Sequence, residues 1–390
     1  MPPLGLYIHI PFCAAICNYC NFNRGLLDEA LKRRYVQALM TEIRGAGDLS
    51  PRDAATAPGR ADTIYFGGGT PSLLAPHDIG AIITACRQAY DVDPAAEITM
   101  EANPETVDEA GLAGFRASGV NRLSFGVQSF RDSELKRLGR LHTAERARTA
   151  VGEARRAGFD NLSLDLMLWL PGQTLADLDE SLDALVVEGP EHASVYLLEI
   201  YPNAPLKDEM ARAGWSQAPD DDAADMYLRT MAVLEQAGYR QYEISNVARP
   251  GRESRHNLKY WTDGEWMGFG CGAHSTVSHV RWNNVSGTSD YIARVDRGES
   301  PIAGRRVLSP REQAEEALFM ELRLARGVDL DRMRAVYGVD VWREWGSRLA
   351  RFVEAGLLEH DGGRLRLTRN GMLLANDVMT TFLEAGSTVK

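Results

Sequence analysis

The sequence predicts an α/β protein: a parallel sheet wrapped by helices, followed by a smaller helical module of winged-helix type. Two observations carry this. Before about residue 200, short apolar strand-like runs alternate with helix-period segments at least six times, the pattern of repeated βα units. After residue 300, amphipathic helices precede a hairpin with a glycine-bearing turn. The βα repeat suits either a doubly wound sheet or one curled into a full or partial barrel, and both place function at the C-terminal strand ends.

Taken in order, residues 4–10 form the first strand and residues 29–45 the first helix. Residues 45–61, rich in Gly, Ala, Pro and Asp, read as a surface connection. Strands follow at 63–66, 97–100, 120–126, 161–168 and 194–200, and helices at 76–90, 108–117, 143–157 and 175–187. Residues 220–238 form a helix opened by Pro219 and an acidic first turn, as the helix dipole prefers. Residues 239–284 are rich in Gly, Asn, His and aromatics and lack clear periodicity. Helices at 309–326, 329–337 and 341–356 lead into a hairpin over 357–368. Three parts result: a core over residues 1–240, an accessory segment over 241–300 and a C-terminal module over 301–390.

Composition bounds the function. The 390 residues are 44% hydrophobic and 25% charged, as in ordinary globular proteins. A net charge of −11 argues against a broad nucleic-acid surface and favours small-molecule or protein partners. No apolar run is long enough for a membrane span. The N-terminal MPPLGLYIHI lacks a basic n-region, so neither a signal nor a transit peptide is expected. The expected location is the cytoplasm, where thiols stay reduced.

The chemistry starts at Cys13, Cys17 and Cys20, spaced C-x3-C-x2-C directly after the first strand. Three thiolates on one tight loop can hold three corners of a 4Fe-4S cube. The fourth iron is then open to a chelating ligand, and S-adenosylmethionine is the radical-chemistry cofactor that pairs with a cluster in this way. Zinc usually takes four Cys or His ligands, and His9 sits on the preceding strand rather than at ligand spacing. A disulfide leaves one thiol over. Cys86 and Cys271 are too scattered to make a second site.

Other candidates lie at the predicted strand ends. Gly67, Gly68 and Gly69, followed by Thr70, let backbone approach a ligand closely, and their amides can receive a carboxylate. Glu101 and Asp165 are acids at apolar strand ends, able to accept from an amino group or ribose hydroxyls. Gln128 faces the same mouth, and Arg140 can grip a carboxylate with its fork. A structural salt-bridge network among these groups is the alternative reading. Tyr7 and His9 share one face of the first strand. In the run Arg255-His256-Asn257-Leu258-Lys259-Tyr260-Trp261, a helix would put His256 and Tyr260 on one face. That pair suits an axial ligand and wall for a porphyrin, but on residue chemistry alone a packed, hydrogen-bonded aromatic cluster is favoured.

Assembled, these motifs resemble a known family. The strings YIHIPFC with C-x3-C-x2-C, GGGTPS at 67–72, EANP at 101–104, GVQSF at 126–130, LPGQT at 170–174 and GAHS at 272–275 are similar to the radical SAM enzymes around oxygen-independent coproporphyrinogen III oxidase. Within that group the chain resembles the haem-chaperone branch. Phe22 stands where the oxidases carry a further cysteine, and His256 to Trp261 matches an H-N-x-x-Y-W motif that the branch links to haem.

The resemblance implies a partial (β/α) barrel and 4Fe-4S ligands at Cys13, Cys17 and Cys20. It implies S-adenosylmethionine contacts at Tyr7, Tyr19, Gly68, Gly69, Thr70, Glu101, Gln128, Arg140 and Asp165, and haem contacts at His256, Tyr260 and Trp261. The partners implied are haem and a haem-acceptor apoprotein, with peripheral contact where the acceptor sits in a membrane. The rival expectation is oxidase turnover of a porphyrinogen. Two positions depart from the pattern: Trp169 replaces a glycine and is expected to narrow the cavity mouth, and Cys271 replaces a proline and is expected to be a small buried residue.

Overall fold

In a computed structural model, which describes residues 3–45, 59–202 and 204–383, strand β1 (Leu4–Ile10) is buried at every position except the half-buried Tyr7. Burial on both faces is what a strand inside a helix-covered parallel sheet requires. Two short strands, β2 (Phe12–Cys13) and β3 (Gly25–Leu26), pair across the cysteine loop. Helix α1 (Glu29–Gly45) follows, and most of the expected surface connection after it lies outside the described residues. The alternation continues as β4 (Arg60–Gly68), α2 (Pro76–Ala89), β5 (Asp91–Ala102), α3 (Glu109–Ala117), β6 (Arg122–Gln128), α4 (Asp132–Arg137), α5 (Ala144–Arg156), β7 (Leu162–Leu168), α6 (Leu175–Glu188) and β8 (His192–Leu197).

The predicted strands and helices of this half recur with shifted ends. The largest shift is in β5, which starts at Asp91 rather than residue 97 because Asp91 and Val92 pair with Arg60 and Ala61 of β4. Helix starts follow local chemistry. Thr174 and Asp177 form a capping box at the head of α6, satisfying two amides that the first turn leaves free.

Beyond β8 the chain runs through α7 (Pro205–Ala213), α8 (Asp220–Gln236), β9 (Arg240–Glu243), β10 (Asn246–Ala248), α9 (Arg255–Trp261), β11 (Trp266–Phe269), β12 (His274–Val277), β13 (Val280–Asn284), α10 (Thr288–Asp296) and β14 (Ile302–Val307). The stretch over 239–284, which shows no periodicity in sequence, therefore holds five strands and a helix. Its strands are 3 to 5 residues long, too short to display a period. They add to both edges of one sheet ordered β14-β13-β12-β11-β1-β4-β5-β6-β7-β8-β10-β9.

Strands β1 and β4 to β8 run parallel, and β11 joins β1 in parallel too. The outer strands are antiparallel. Among the described residues no pairing joins β14 to β9, so the barrel is partial. The late strands are keyed to α1 by the buried carboxylate of Glu42. It accepts from Gly270 N at 2.8 Å, Asn284 Nδ2 at 2.6 Å and Tyr291 Oη at 2.6 Å, which offsets the cost of burying it.

The C-terminal module packs α11 (Pro310–Glu321), α12 (Leu330–Tyr337) and α13 (Val341–Glu354) against a three-stranded sheet of β15 (Val328–Asp329), β17 (Arg364–Leu367) and β16 (Leu358–His360). The expected hairpin is present, and Gly362 at φ +87° makes its turn.

Candidate functional site

The glycine turn after β4 lies under the cysteine loop and is strapped to it. Gly69 N donates to Ile10 O, and Thr70 N to Phe12 O, each at 2.7 Å. Space here admits no side chain: a Cβ on Gly69 would lie 2.6 Å from Phe12 O, and one on Gly68 2.5 Å from the His9 ring. Gly68 also sits at φ +112°, a conformation that favours glycine. His9 uses both ring nitrogens inside the protein, against Tyr7 Oη at 3.1 Å and Asn23 O at 2.9 Å. It therefore holds the far end of the cysteine loop as part of the core.

Cys13 is buried, Cys17 and Cys20 are half-buried, and all three are free thiols. Burial pushes the Cys13 and Cys20 thiols upward, and the neighbouring cysteine sulfurs add to the rise at both. Among the described residues no three Cys, His, Asp or Glu side chains are drawn together as around one ion. A cube is wider than a single ion and does not require that convergence. The loop is anchored from outside: Asn18 Nδ2 donates to Arg137 O at 2.8 Å and Glu209 Oε2 at 2.6 Å. Tyr19 packs against the apolar cluster of Leu138, Met167, Leu170, Leu198 and Leu206.

Arg140 is the hub between this loop and the strand ends. Its Nη1 donates to Cys17 Sγ at 3.5 Å, and its Nη2 to Asn103 Oδ1 at 2.7 Å and Gly126 O at 2.6 Å. Gln128 stands beside Gly126, where β6 slips register against β7, and takes φ +68°. Such backbone strain collects at functional sites. Thr70 is buried and accepts from Asn103 Nδ2 at 3.1 Å.

The acids lie on the same inner face. Glu101 accepts from Tyr65 Oη at 2.8 Å and Gly68 N at 3.2 Å. Burial pushes its carboxyl up to about 7, against the pull of the Tyr65 hydrogen bond. Asp165 accepts from Ser124 Oγ at 3.2 Å, and burial pushes it up to about 6. Among the described residues neither acid makes an ion pair of the kind a structural salt-bridge network would supply, so each can meet a bound cation. Tyr7, Gly68, Gly69, Thr70, Glu101, Gln128, Arg140 and Asp165 thus surround one inner face beside Tyr19 and the three cysteines.

Sequence reasoning missed Tyr65, Ser124 and Arg122. Arg122 is 1% exposed, and its Nε has no hydrogen-bond partner among the described residues. Its signal was a charge at the head of an otherwise apolar strand. The residues fit the groups expected of them. The donor set is thiol-rich, the glycines leave a cradle that a Cβ would fill, and Arg140 Nε and Thr99 Oγ1 are buried without hydrogen-bond partners among the described residues.

The expected haem motif behaves differently. It is helical, as α9, but His256 is 1% exposed. Its Nδ1 meets Thr63 Oγ1 at 2.8 Å and its Nε2 meets Tyr260 Oη at 2.9 Å. The packed, hydrogen-bonded cluster is what the fold contains, and the residues do not fit an iron ligand set. Trp261 lies under the Arg323 guanidinium, 4.5 Å from its ring centroid. Of the two departures, Cys271 is buried. Trp169 takes φ +61°, which a glycine would adopt without strain, and its indole donates to Ala218 O at 2.8 Å.

A partial barrel with three cysteines after its first strand and a glycine turn beneath them defines a radical SAM protein. The Radical SAM superfamily matches residues 7–185, and the HemN C-terminal domain matches residues 308–374. The chain is 36% identical to the heme chaperone HemW of Bacillus subtilis, over 97% of this chain and 98% of that one. It is 35% identical to that of Escherichia coli, over 98% and 99%, and 38% identical to that of Mycobacterium tuberculosis, over 98% and 95%. The chain belongs to the HemW family. The coproporphyrinogen III oxidase HemN of Escherichia coli superimposes with a TM-score of 0.85 at 24% identity, over 97% of this chain and 90% of that one, a likeness of fold.

Proposed function

We propose that this protein carries haem and delivers it to an acceptor apoprotein, with a 4Fe-4S cluster and S-adenosylmethionine held at the barrel mouth. The observation that carries this reading is identity of 35% or more to heme chaperones over nearly the whole of both chains. Cys13, Cys17 and Cys20 would hold the cluster. Gly68, Gly69 and Thr70 would receive the carboxylate of the methionine part, and Glu101 its ammonium. Asp165 and Gln128 would face the nucleoside, with Tyr7 and Tyr19 as walls. When bound, a reduced cluster supplies one electron to the sulfonium. Arg140, touching Cys17 and the β6 end at once, ties the two groups' sites together.

In this reading residues 1–240 form the cofactor core, 241–300 the accessory segment and 301–390 the C-terminal module. We place the protein in the cytoplasm because cluster thiols need reducing surroundings. Among the described residues no helix is long and apolar enough to cross a membrane, so contact with a membrane-bound acceptor would be peripheral.

The test uses anaerobically reconstituted, haem-loaded protein, assayed for haem transfer to candidate apoproteins and for decarboxylation of coproporphyrinogen III. Transfer without decarboxylation is the expected result. Decarboxylation without transfer would replace this reading with an oxidase.

A further inference from the structure

We infer that His256 is a positioning residue for the S-adenosylmethionine cavity and not a ligand of haem iron. The inference rests on the proposed function only for the identity of that cavity.

A histidine coordinates a metal through the lone pair of one neutral ring nitrogen. Both nitrogens of His256 are engaged, with Thr63 at 2.8 Å and Tyr260 at 2.9 Å. The ring also has no room to turn. It lies flush on β1, where a Cβ on Gly5 would come within 3.0 Å of its Cε1. The helix that carries it is fixed at both ends. Glu97 accepts from the amides of Arg255 and His256, each at 3.2 Å. Lys259 pairs with Asp62 at 2.7 Å and donates to Pro3 O at 2.8 Å. Iron coordination would need a buried hydrogen bond broken and the helix withdrawn from β1 and β4.

The same contacts point the ring at the cofactor cavity. Its face stacks on Tyr65 with centroids 5.0 Å apart and planes 26° apart, and it lies 6.4 Å from Tyr7. Tyr65 Oη then donates to Glu101, whose other oxygen receives Gly68 N. One continuous line of contact runs from His256 through Tyr65 to the carboxylate and the glycine turn. Burial lowers the imidazole to about 3, so the ring is neutral and its hydrogen bonds rather than its charge set the position of Tyr65.

The experiment compares wild type, His256→Phe, His256→Gln and Thr63→Val as full chains with reconstituted cluster. S-Adenosylmethionine affinity is read by calorimetry, and haem by titration and Soret and EPR spectra. The expected result is that Thr63→Val, which loses one buried hydrogen bond, weakens S-adenosylmethionine binding about tenfold, and that His256→Phe, which loses two, weakens it at least as much. His256→Gln should recover part of that loss, and haem spectra and affinity should match wild type throughout. A changed haem ligand spectrum in His256→Phe would overturn the inference, as would unchanged S-adenosylmethionine affinity in Thr63→Val. Thr63→Val leaves the imidazole in place and covers the case in which the His256 variants do not fold. If wild type binds no haem, the carrier reading fails while the S-adenosylmethionine titrations still decide the role of His256.

Discussion

Arg140 and Cys17 meet at 3.5 Å, the guanidinium Nη1 donating to the sulfur. The same side chain reaches Gly126 O on the far wall, so one cation serves both the cysteine loop and the cavity. Arg140→Met should weaken S-adenosylmethionine binding at least about tenfold, the scale of a lost charge-assisted hydrogen bond. It should also move the cluster potential to more negative values, because a donor and a positive charge leave the sulfur. Calorimetry and a redox titration measure the two effects.

The assignment of the cluster ligands predicts a selective loss. Cys17→Ser should lower iron and sulfide from about four per chain to near zero after anaerobic reconstitution, whereas Cys86→Ser and Cys271→Ser should leave both unchanged. Cys86 and Cys271 are buried away from the loop cysteines in sequence and have no thiol partner. Elemental analysis with EPR decides the matter, and full iron content in Cys17→Ser would remove the assignment.

Glu101 makes stability and binding depend on pH in opposite directions. Its carboxyl titrates near 7 in the fold against an ordinary value of 4.5. Between those values the folded chain keeps a proton that the unfolded chain has lost. Stability of the apo protein should therefore fall as pH rises from about 4.5 to 7 and level off above, by about 3 kcal/mol. Glu101→Gln should flatten that descent in urea titrations run across the range. S-Adenosylmethionine, whose ammonium prefers the ionised acid, should bind more tightly over the same rise, with proton release visible as a buffer-dependent heat.

Gly69→Ala tests the strap between the glycine turn and the cysteine loop. The new Cβ would lie 2.6 Å from Phe12 O and 2.9 Å from Ile10 O, both backbone atoms that cannot rotate aside. A loss of about 2 to 4 kcal/mol is expected in chemical denaturation, the range of severe core strain. Gly25→Ala, whose Cβ would meet nothing within 4 Å, is the control and should lie within about 0.5 kcal/mol of wild type.

The first half of the fold was legible because parallel strands are apolar throughout and their helices amphipathic, so each unit announces itself within 20 to 30 residues. The late strands were not. Met267 pairs with Leu6, a partner so distant in sequence that no local pattern could reveal it. The cysteine spacing marked a tight loop and the glycines after a strand marked a turn, but the two backbone bonds that strap one to the other were not readable. Tyr65 was hidden inside a strand and Arg122 stood at the head of one, and the importance of both lies in what faces them from neighbouring strands. The motif around His256 was readable as a helix with a shared His-Tyr face. Its binding partners were not, because Thr63 and Glu97 come from β4 and β5.

Strand β1 occupies the middle of the sheet, between β4 and β11. On the ribosome it emerges before both of its neighbours, and one of them is made only when residues 266–269 leave the exit tunnel. Until then the segment ahead of the cysteines has one bare edge, and Gly5 lacks the helix that covers it. A fragment that stops short of residue 266 therefore cannot complete the sheet around β1, whatever its first half has already folded.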